Sequence, residues 1–484
     1  MSGIKPLVRG AALSALSVCI SMVALLVTSK LFTNALDQES VGIFALLLVS
    51  ADFIIYASGM GLAASMPKLV AEADTRRQRQ IIGSALAWQT TLLLGLGCLT
   101  LLAQALIREP ERLTSDPSWL GVHAHLHLLP LLFIVGGLRD AVMAMLAGLD
   151  RYGYRAAGIA AASIAQVVLV YVAVWRLGGG LAALTLSMAA AYGLALLLLW
   201  IGLGVNGVPL FAVAPYLKSI RFSAPLYVNQ VMNFFNQRFD TVLVSMLAGV
   251  PQAAVYEMVK RLPVIVNRVM NALLTPYLPH ISRLVSVRDY AGAARILAHA
   301  VNISAFVGYG AALGMVAVQH LLIVLLFNEE YLPGAPALGL LLIAASLALQ
   351  SGLMAQMLIA LGKNMVVPLV NFGAVIISIA ANLVIIPRFG IVGAGWVAIA
   401  CAGFSYLMQA VFTHRAGIPV QFGQCLKPLL LLLLSWAPIA YGQEHLGYRL
   451  AAPLLFAVLC FVCGVVSPRQ LYRLGQALLP DTQA

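Results

Sequence analysis

The chain has 484 residues, of which 62% are hydrophobic and 10% charged, with a mean hydropathy of +0.95; that excludes an ordinary soluble globular domain and marks a polytopic membrane protein. The formal net charge of +12 comes from Lys and Arg spread over short loops, not gathered in a patch or tail, which argues against a nucleic-acid partner. Neither a G-x-x-x-x-G-K-[ST] phosphate loop nor H-E-x-x-H nor G-x-S-x-G occurs, so an ATPase or hydrolase has no support, no catalytic residues are assigned, and no cofactor or metal is expected.

In chain order, apolar stretches begin near Gly10, Val41, Ile81, Val122, Ala156, Leu181, Phe222, Ala253, Ile296, Ala337, Met365, Ile391, Leu426 and Leu450. At about 20 residues per crossing this predicts an all-α protein of roughly 14 transmembrane helices. The first run follows Lys5 and Arg9 and extends from Gly10 to Phe32, too long for the apolar core of a signal peptide, so it reads as a retained span. With the N-terminus in the cytoplasm, basic groups such as Lys68 with Arg76, Arg77 and Arg79, Arg151 with Arg155, and Arg283 with Arg288 and Arg295 face inward. Asp37, Glu39, Glu329 and Glu330 then face outward, as the positive-inside tendency requires. An even span count returns the C-terminus, with Arg469 and Arg473, to the cytoplasm. The six cysteines lie in or at the ends of spans and imply no disulfide framework.

One offset recurs along the chain. Pro67 and Pro279, Arg176-Leu-Gly178 and Arg388-Phe-Gly390, Phe44 and Tyr256, and Met145-Leu146…Leu149-Asp-Arg151 and Met357-Leu358…Leu361-Gly-Lys363 all stand 212 positions apart. A constant offset without insertions predicts a duplicated membrane unit, an organisation found in transporters. The expected division is an N-terminal six-helix lobe (1–204), a cytoplasmic connector (205–221), a C-terminal six-helix lobe (222–415), and an extra helix pair with a cytoplasmic tail (416–484). Each unit holds an even number of spans, so the two are parallel repeats, and a cavity between them is the expected substrate path.

Ionisable and amide side chains within spans are costly and point to function. Span 7 carries Asn229, Asn233, Asn236 and Asp240 at steps of 4, 3 and 4, one helical stripe. The offset places Ser17, Ser21, Ala24 and Thr28 at the equivalent positions of span 1. The stripe either lines a cavity or makes interhelical hydrogen bonds. Span 8 adds Glu257, Lys260, Arg261, Arg268 and Asn271. Folding spans 7 and 8 back about Gly249-Val-Pro251 sets Asp240 level with Lys260 and Arg261, and Arg238 near Glu257 and Arg261. That cluster is either structural or substrate-binding. Arg268 has no acid at its depth on span 7 and reads as an anion ligand. In the first lobe Asp52 lies with Tyr56 on span 2, and Arg139-Asp140 on span 4. Because neighbours at i and i+1 do not share a helix face, Arg139 is expected to reach Asp52 as a structural bridge, with Asp52 as a proton or cation site the other reading. His123, His125 and His127 read as interface histidines, and Cys460-x-x-Cys463 as packing within the last span.

The segment Asn371 to Ala400, including ANLVIIPRFGIVGAGW at Ala381 to Trp396, resembles the span 11 to span 12 hairpin of polysaccharide flippases in the multidrug/oligosaccharidyl-lipid/polysaccharide exporter (MOP) superfamily. Phe222-Ser-Ala-Pro-Leu226, Asp240, Tyr256 and the turn Gly148-Leu-Asp-Arg-Tyr152 are similar too, and the likeness extends to the 6 + 6 + 2 order of spans. The resemblance implies alternating-access movement of an undecaprenyl-diphosphate-linked oligosaccharide between leaflets of a bacterial inner membrane, for cell-surface polysaccharide synthesis. Membrane lipid and polysaccharide assembly proteins would be its partners. Two alternatives stand beside it. A drug/cation antiporter of the same superfamily would place carboxylates in the cavity, and a membrane-embedded glycan polymerase would carry a large outer loop.

Overall fold

The computed structural model describes residues 4–107, 111, 116–204, 213–273, 277–420, 422–441 and 446–467. Among these every extended element is helical and there is no strand, as expected where lipid offers the backbone no hydrogen-bonding partner. The helices are α1 (Ile4–Thr33), α2 (Gln38–Ser58), α3 (Leu62–Ala71), α4 (Thr75–Leu106), α5 (Pro117–His125), α6 (Leu129–Gly148), α7 (Tyr152–Val170), α8 (Gly180–Leu203) and α9 (Val213–Ala248). They continue with α10 (Val250–Leu273), α11 (Tyr277–Ser286), α12 (Tyr290–Ala317), α13 (Gln319–Leu326), α14 (Ala335–Ala360), α15 (Val366–Arg415), α16 (Phe422–Ser435), α17 (Ala437–Tyr441) and α18 (Leu446–Val462). Aspartates start several of them: Asp37 accepts from the Ser40 amide at 3.3 Å and its hydroxyl at 2.7 Å, Asp116 from Ser118 at 2.9 Å, and Asp289 from Gly292 at 2.8 Å. Each such cap satisfies amides that the first turn leaves open.

Nine helical segments among the described residues are long and apolar enough to cross a membrane, so the protein is a multi-pass membrane protein. One of them, α15, is two helices meeting at Gly390, whose φ of 55° and ψ of −142° are not helical. The polar, charged helices α9 and α10 match a crossing in length, at 36 and 24 residues, and fall short in hydropathy. Residues 205–212 of the expected connector lie outside the described residues, and Val213 to Arg221 form the first turns of α9.

One turn recurs in the backbone at the 212-residue offset. The turn ending α6 makes Leu149 N–H to Met145 O (3.1 Å), Asp150 to Ala147 (3.4 Å) and Arg151 to Leu146 (3.0 Å). The turn ending α14 repeats all three bonds 212 residues later: Leu361 to Met357 (3.0 Å), Gly362 to Ile359 (3.0 Å) and Lys363 to Leu358 (2.9 Å). Asp150 and Gly362 both take positive φ, at 55° and 73°, the left-handed residue that closes a helix of this kind. Gly178 and Gly390 also share positive φ, at 63° and 55°.

Two compact units emerge: Met1–Glu257 with Leu325–Glu330, and Met258–Val324 with Tyr331–Ala484. In the first, Met66, Val70, Ile82, Val142, Leu146 and Leu199 form an apolar core between α3, α4, α6 and α8. Helix α9 joins it by close approach. A Cβ on Gly61 (φ 75°) would lie 2.6 Å from the Ser223 carbonyl oxygen and 2.8 Å from the Tyr227 nitrogen, and the Ser65 and Ser223 hydroxyls are 2.5 Å apart. The short segment Leu325–Glu330 is held to the C-terminal end of α1 by side chains. Lys30 Nζ (2.7 Å) and Asn34 Nδ2 (3.1 Å) both donate to the Phe327 carbonyl, and Asn328 Nδ2 donates to the Thr33 carbonyl at 3.2 Å. In the second unit Ile281, Leu297, Met354, Met357 and Ile418 make the corresponding core.

Candidate functional site

The site lies in the first unit, where four helices bring charge together. Arg238 of α9 is its centre. Its Nη1 donates to Glu257 Oε1 of α10 at 2.9 Å, and its Nη2 lies 3.4 Å from Asp52 Oδ2 of α2. Glu257 is buried, with its second oxygen accepting from Thr241 Oγ1 at 2.9 Å. The side chains of Arg238 and Asp52 remain 40% and 35% exposed against 12% for Glu257. That difference ranks the pairs. A hydrogen bond to a charged, buried partner is worth about 1.5–3 kcal/mol, whereas an exposed ion pair contributes about 0–1 kcal/mol. Glu257 therefore fixes Arg238 in place, and Asp52 is the partner it can exchange.

Beside this pair, the fully buried Tyr256 donates its hydroxyl to Asp240 Oδ2 at 2.7 Å, and the Thr241 amide donates to Asp240 Oδ1 at 2.8 Å. The hairpin of α9 and α10 turns at Gly249, whose φ is 97°. Depth matching about this turn, read from the sequence, correctly pairs Arg238 with Glu257. It overlooks Tyr256 and Thr241 as the groups that hold Asp240, although Tyr256 mirrors Asp240 across the same turn and Thr241 is its neighbour in sequence. Lys260 and Arg261 belong to the second unit, partly exposed, and each takes part in a polar or electrostatic interaction.

Arg139 corrects an expectation. Its guanidinium turns back to the adjacent Asp140, with Nε and Nη2 donating to Oδ1 at 2.8 and 2.6 Å, and stacks 3.8 Å over the Tyr192 ring of α8. The predicted bridge to Asp52 is replaced by Asp52–Arg238 because α2 presents Asp52 to α9, and because the long Arg stem reaches its neighbour around the helix. Asp52 still feels Arg139, Asp140 and Glu257 electrostatically, so the charges of α2, α6, α9 and α10 form one field.

On the polar stripe of α9, Asn233 and Asn236 are exposed and Asp240 is partly buried; the side chains of Asn229 and Asn271 lie outside the described residues. The matching stripe of α1 is less open: Ser17 and Thr28 are buried, and Ser17 and Ser21 bond carbonyls of their own helix at 2.8 Å. Arg268 is exposed in the second unit and takes part in a polar or electrostatic interaction. His125 and His127 turn Nδ1 to backbone carbonyls of α5, at Gly121 and Ala124, both at 2.9 Å. Nothing in the sequence pattern pointed to the Lys30–Phe327 contact, since it joins a span to a loop carbonyl far along the chain.

Residues 7–285 match a family model described as polysaccharide biosynthesis protein. No curated protein matches the chain. Among solved structures, the lipid II flippase MurJ in an inward closed conformation superposes with a TM-score of 0.73 at 12% identity, covering 96% of this chain and 100% of that one. An inward-facing multidrug resistance MATE family transporter of the MOP superfamily gives 0.65 at 14% identity over 82% and 95%. A MOP superfamily transporter from Pyrococcus furiosus gives 0.58 at 12% identity over 85% and 96%. At these identities the likeness is one of fold.

Proposed function

Because the chain belongs to the polysaccharide biosynthesis protein family and has the fold of MOP superfamily transporters, we propose that it is a flippase for an undecaprenyl-diphosphate-linked oligosaccharide. It moves this lipid from the inner to the outer leaflet of a bacterial inner membrane by alternating access of the lobes 1–204 and 222–415, with both termini cytoplasmic. The observation that carries the reading is the cluster of partly exposed charges on membrane helices, Arg238 with Asp52 and Arg139 with Asp140. Charge at this depth is tolerated beside water or a polar ligand, not beside lipid tails. Arg238, Lys260, Arg261 and Arg268 offer cations to the diphosphate or an acidic sugar. The amides Asn229, Asn233, Asn236 and Asn271 offer hydrogen bonds to hydroxyls, and the prenyl chain stays in the bilayer. Asp240 keeps the α9–α10 hairpin in register, while Asp52 and Asp140 are the groups placed to couple the cycle to a cation. Polysaccharide assembly proteins would receive the product.

The reading is tested by Arg268→Ala in a strain whose surface glycan depends on this protein. The expected result is loss of surface glycan, accumulation of lipid-linked precursor, and near-normal protein abundance. Normal export removes Arg268 from the site.

A cation antiporter is the second reading. It is favoured by one observation: in the first unit's cluster the carboxylates Asp52, Asp140, Asp240 and Glu257 outnumber the guanidiniums Arg139 and Arg238 among the described residues. It requires efflux of a lipophilic cation that Asp52→Asn abolishes.

A further inference from the structure

Beside the charges, α2 and α9 build an aromatic wall. Phe53 packs on Phe234 with ring centroids 5.2 Å apart and on Phe235 at 6.3 Å, and Tyr56 packs on Phe234 at 6.1 Å. Phe235 in turn meets Phe239 at 5.0 Å. Phe234 is buried behind this group, whereas Phe53 and Tyr56 are each 42% exposed.

An exposed ring on a membrane helix ordinarily meets lipid. These two do not fit that account. Phe53 and Asp52 both contact α9, through Phe234 and Arg238, so the rings border the same seam as two partly exposed charges, which hydrocarbon would penalise. Tyr56 is one turn from Asp52, on the same stripe, and feels the charges of Asp52, Asp140 and Arg238.

A flat aromatic face bordered by a carboxylate, a guanidinium and a phenol hydroxyl suits a ligand that is apolar on one face and hydrogen-bonding around its rim. A pyranose ring has that character: its C–H face carries slight positive charge that the negative π face attracts, and its hydroxyls need the donors and acceptors at the edge. A prenyl chain has no use for the charges. A lipophilic cation would use both the rings and the carboxylates, and is the competing occupant.

We propose that Phe53 and Tyr56, backed by Phe234, form a stacking platform for a sugar ring of the transported lipid, with Asp52 and Arg238 at its hydroxyl edge. The proposal rests on the flippase reading and assigns sugar recognition to α2 and α9, apart from the diphosphate.

The experiment measures binding by purified full-length protein in nanodiscs. The probes are a short prenyl diphosphate, the same compound carrying glucose, galactose or N-acetylglucosamine, and tetraphenylphosphonium. At least one sugar-bearing probe is expected to bind wild type more tightly than the bare diphosphate. Phe53→Leu, which keeps apolar bulk against Phe234, should weaken that probe by roughly threefold to tenfold and leave the bare diphosphate unchanged, and Phe53→Trp should restore binding. Tyr56→Leu should act like Phe53→Leu. Equal affinity for bare and sugar-bearing probes, or equal loss for both in Phe53→Leu, overturns the platform and leaves the flippase reading standing. Tetraphenylphosphonium binding that alone depends on Phe53 overturns it in favour of a cation site. Failure of every prenyl diphosphate to bind wild type overturns the platform together with the flippase reading.

Discussion

Arg238 and Glu257 pair at 2.9 Å across the α9–α10 hairpin, and this contact holds the site's central cation beside the more exposed Asp52. Among the described residues, removing Arg238 leaves the buried Glu257 carboxylate with the Thr241 hydroxyl as its hydrogen-bond partner. Arg238→Gln is therefore expected to lower stability by about 1–3 kcal/mol, with Glu257→Gln costing a similar amount and the double variant less than the sum. Thermal unfolding in detergent measures this coupling. Additive losses would show that the pair is not the unit that fixes Arg238. Asp52→Asn should cost under about 1 kcal/mol, which separates the anchoring partner from the exchangeable one.

The duplicated turns make a second prediction. Asp150 and Gly362 occupy equivalent positive-φ positions, but only glycine is free of strain there. Asp150→Gly should stabilise by about 0.5–1 kcal/mol and Gly362→Val should destabilise by about 1–2 kcal/mol; a Cβ at Gly362 meets nothing within 4 Å, so the cost is conformational alone. An unchanged thermal midpoint for Gly362→Val would contradict that equivalence.

Much of the fold was legible because its signals are local. The two Met-Leu pairs before Asp150 and Gly362 repeat because the same turn chemistry is needed twice, and the backbone bonds that follow them repeat as well. The Arg238–Glu257 pair was also legible, since a hairpin converts sequence spacing into depth. Asp52–Arg238 was not. It depends on which face α2 turns to α9, a tertiary choice that helical periodicity leaves open, and on the reach of the Arg139 stem back to Asp140. The aromatic wall was missed for the same reason: Phe53 and Phe234 are unremarkable on their own helices and become a feature only where the helices meet.

The bonds from Lys30 and Asn34 to the Phe327 carbonyl predict a releasable clasp between α1 and the segment Leu325–Glu330. Lys30→Met with Asn34→Ala removes both donors, each worth about 0.5–1.5 kcal/mol. Hydrogen exchange of the amides of 327–330 should then speed up severalfold while that of α6 and α8 stays unchanged. Unaltered exchange in 327–330 would mean that other contacts hold the segment.

Topology follows from the distribution of basic residues. Reporter fusions after Ser286 and Thr482 should score as cytoplasmic and a fusion after Glu329 as periplasmic. A periplasmic C-terminus would break the even span count.

The most direct test of the central claim is translocation by the purified protein in proteoliposomes. A fluorescent prenyl-diphosphate oligosaccharide is placed in both leaflets, and the fraction bleached by an impermeant external reductant is followed with time. The account predicts that wild type raises the bleachable fraction above the roughly one-half expected of an untransported, symmetric bilayer marker in protein-free vesicles, and that Arg268→Ala does not. A bleachable fraction equal to that of protein-free vesicles, in preparations that do expel tetraphenylphosphonium, would contradict it and establish the antiporter reading instead.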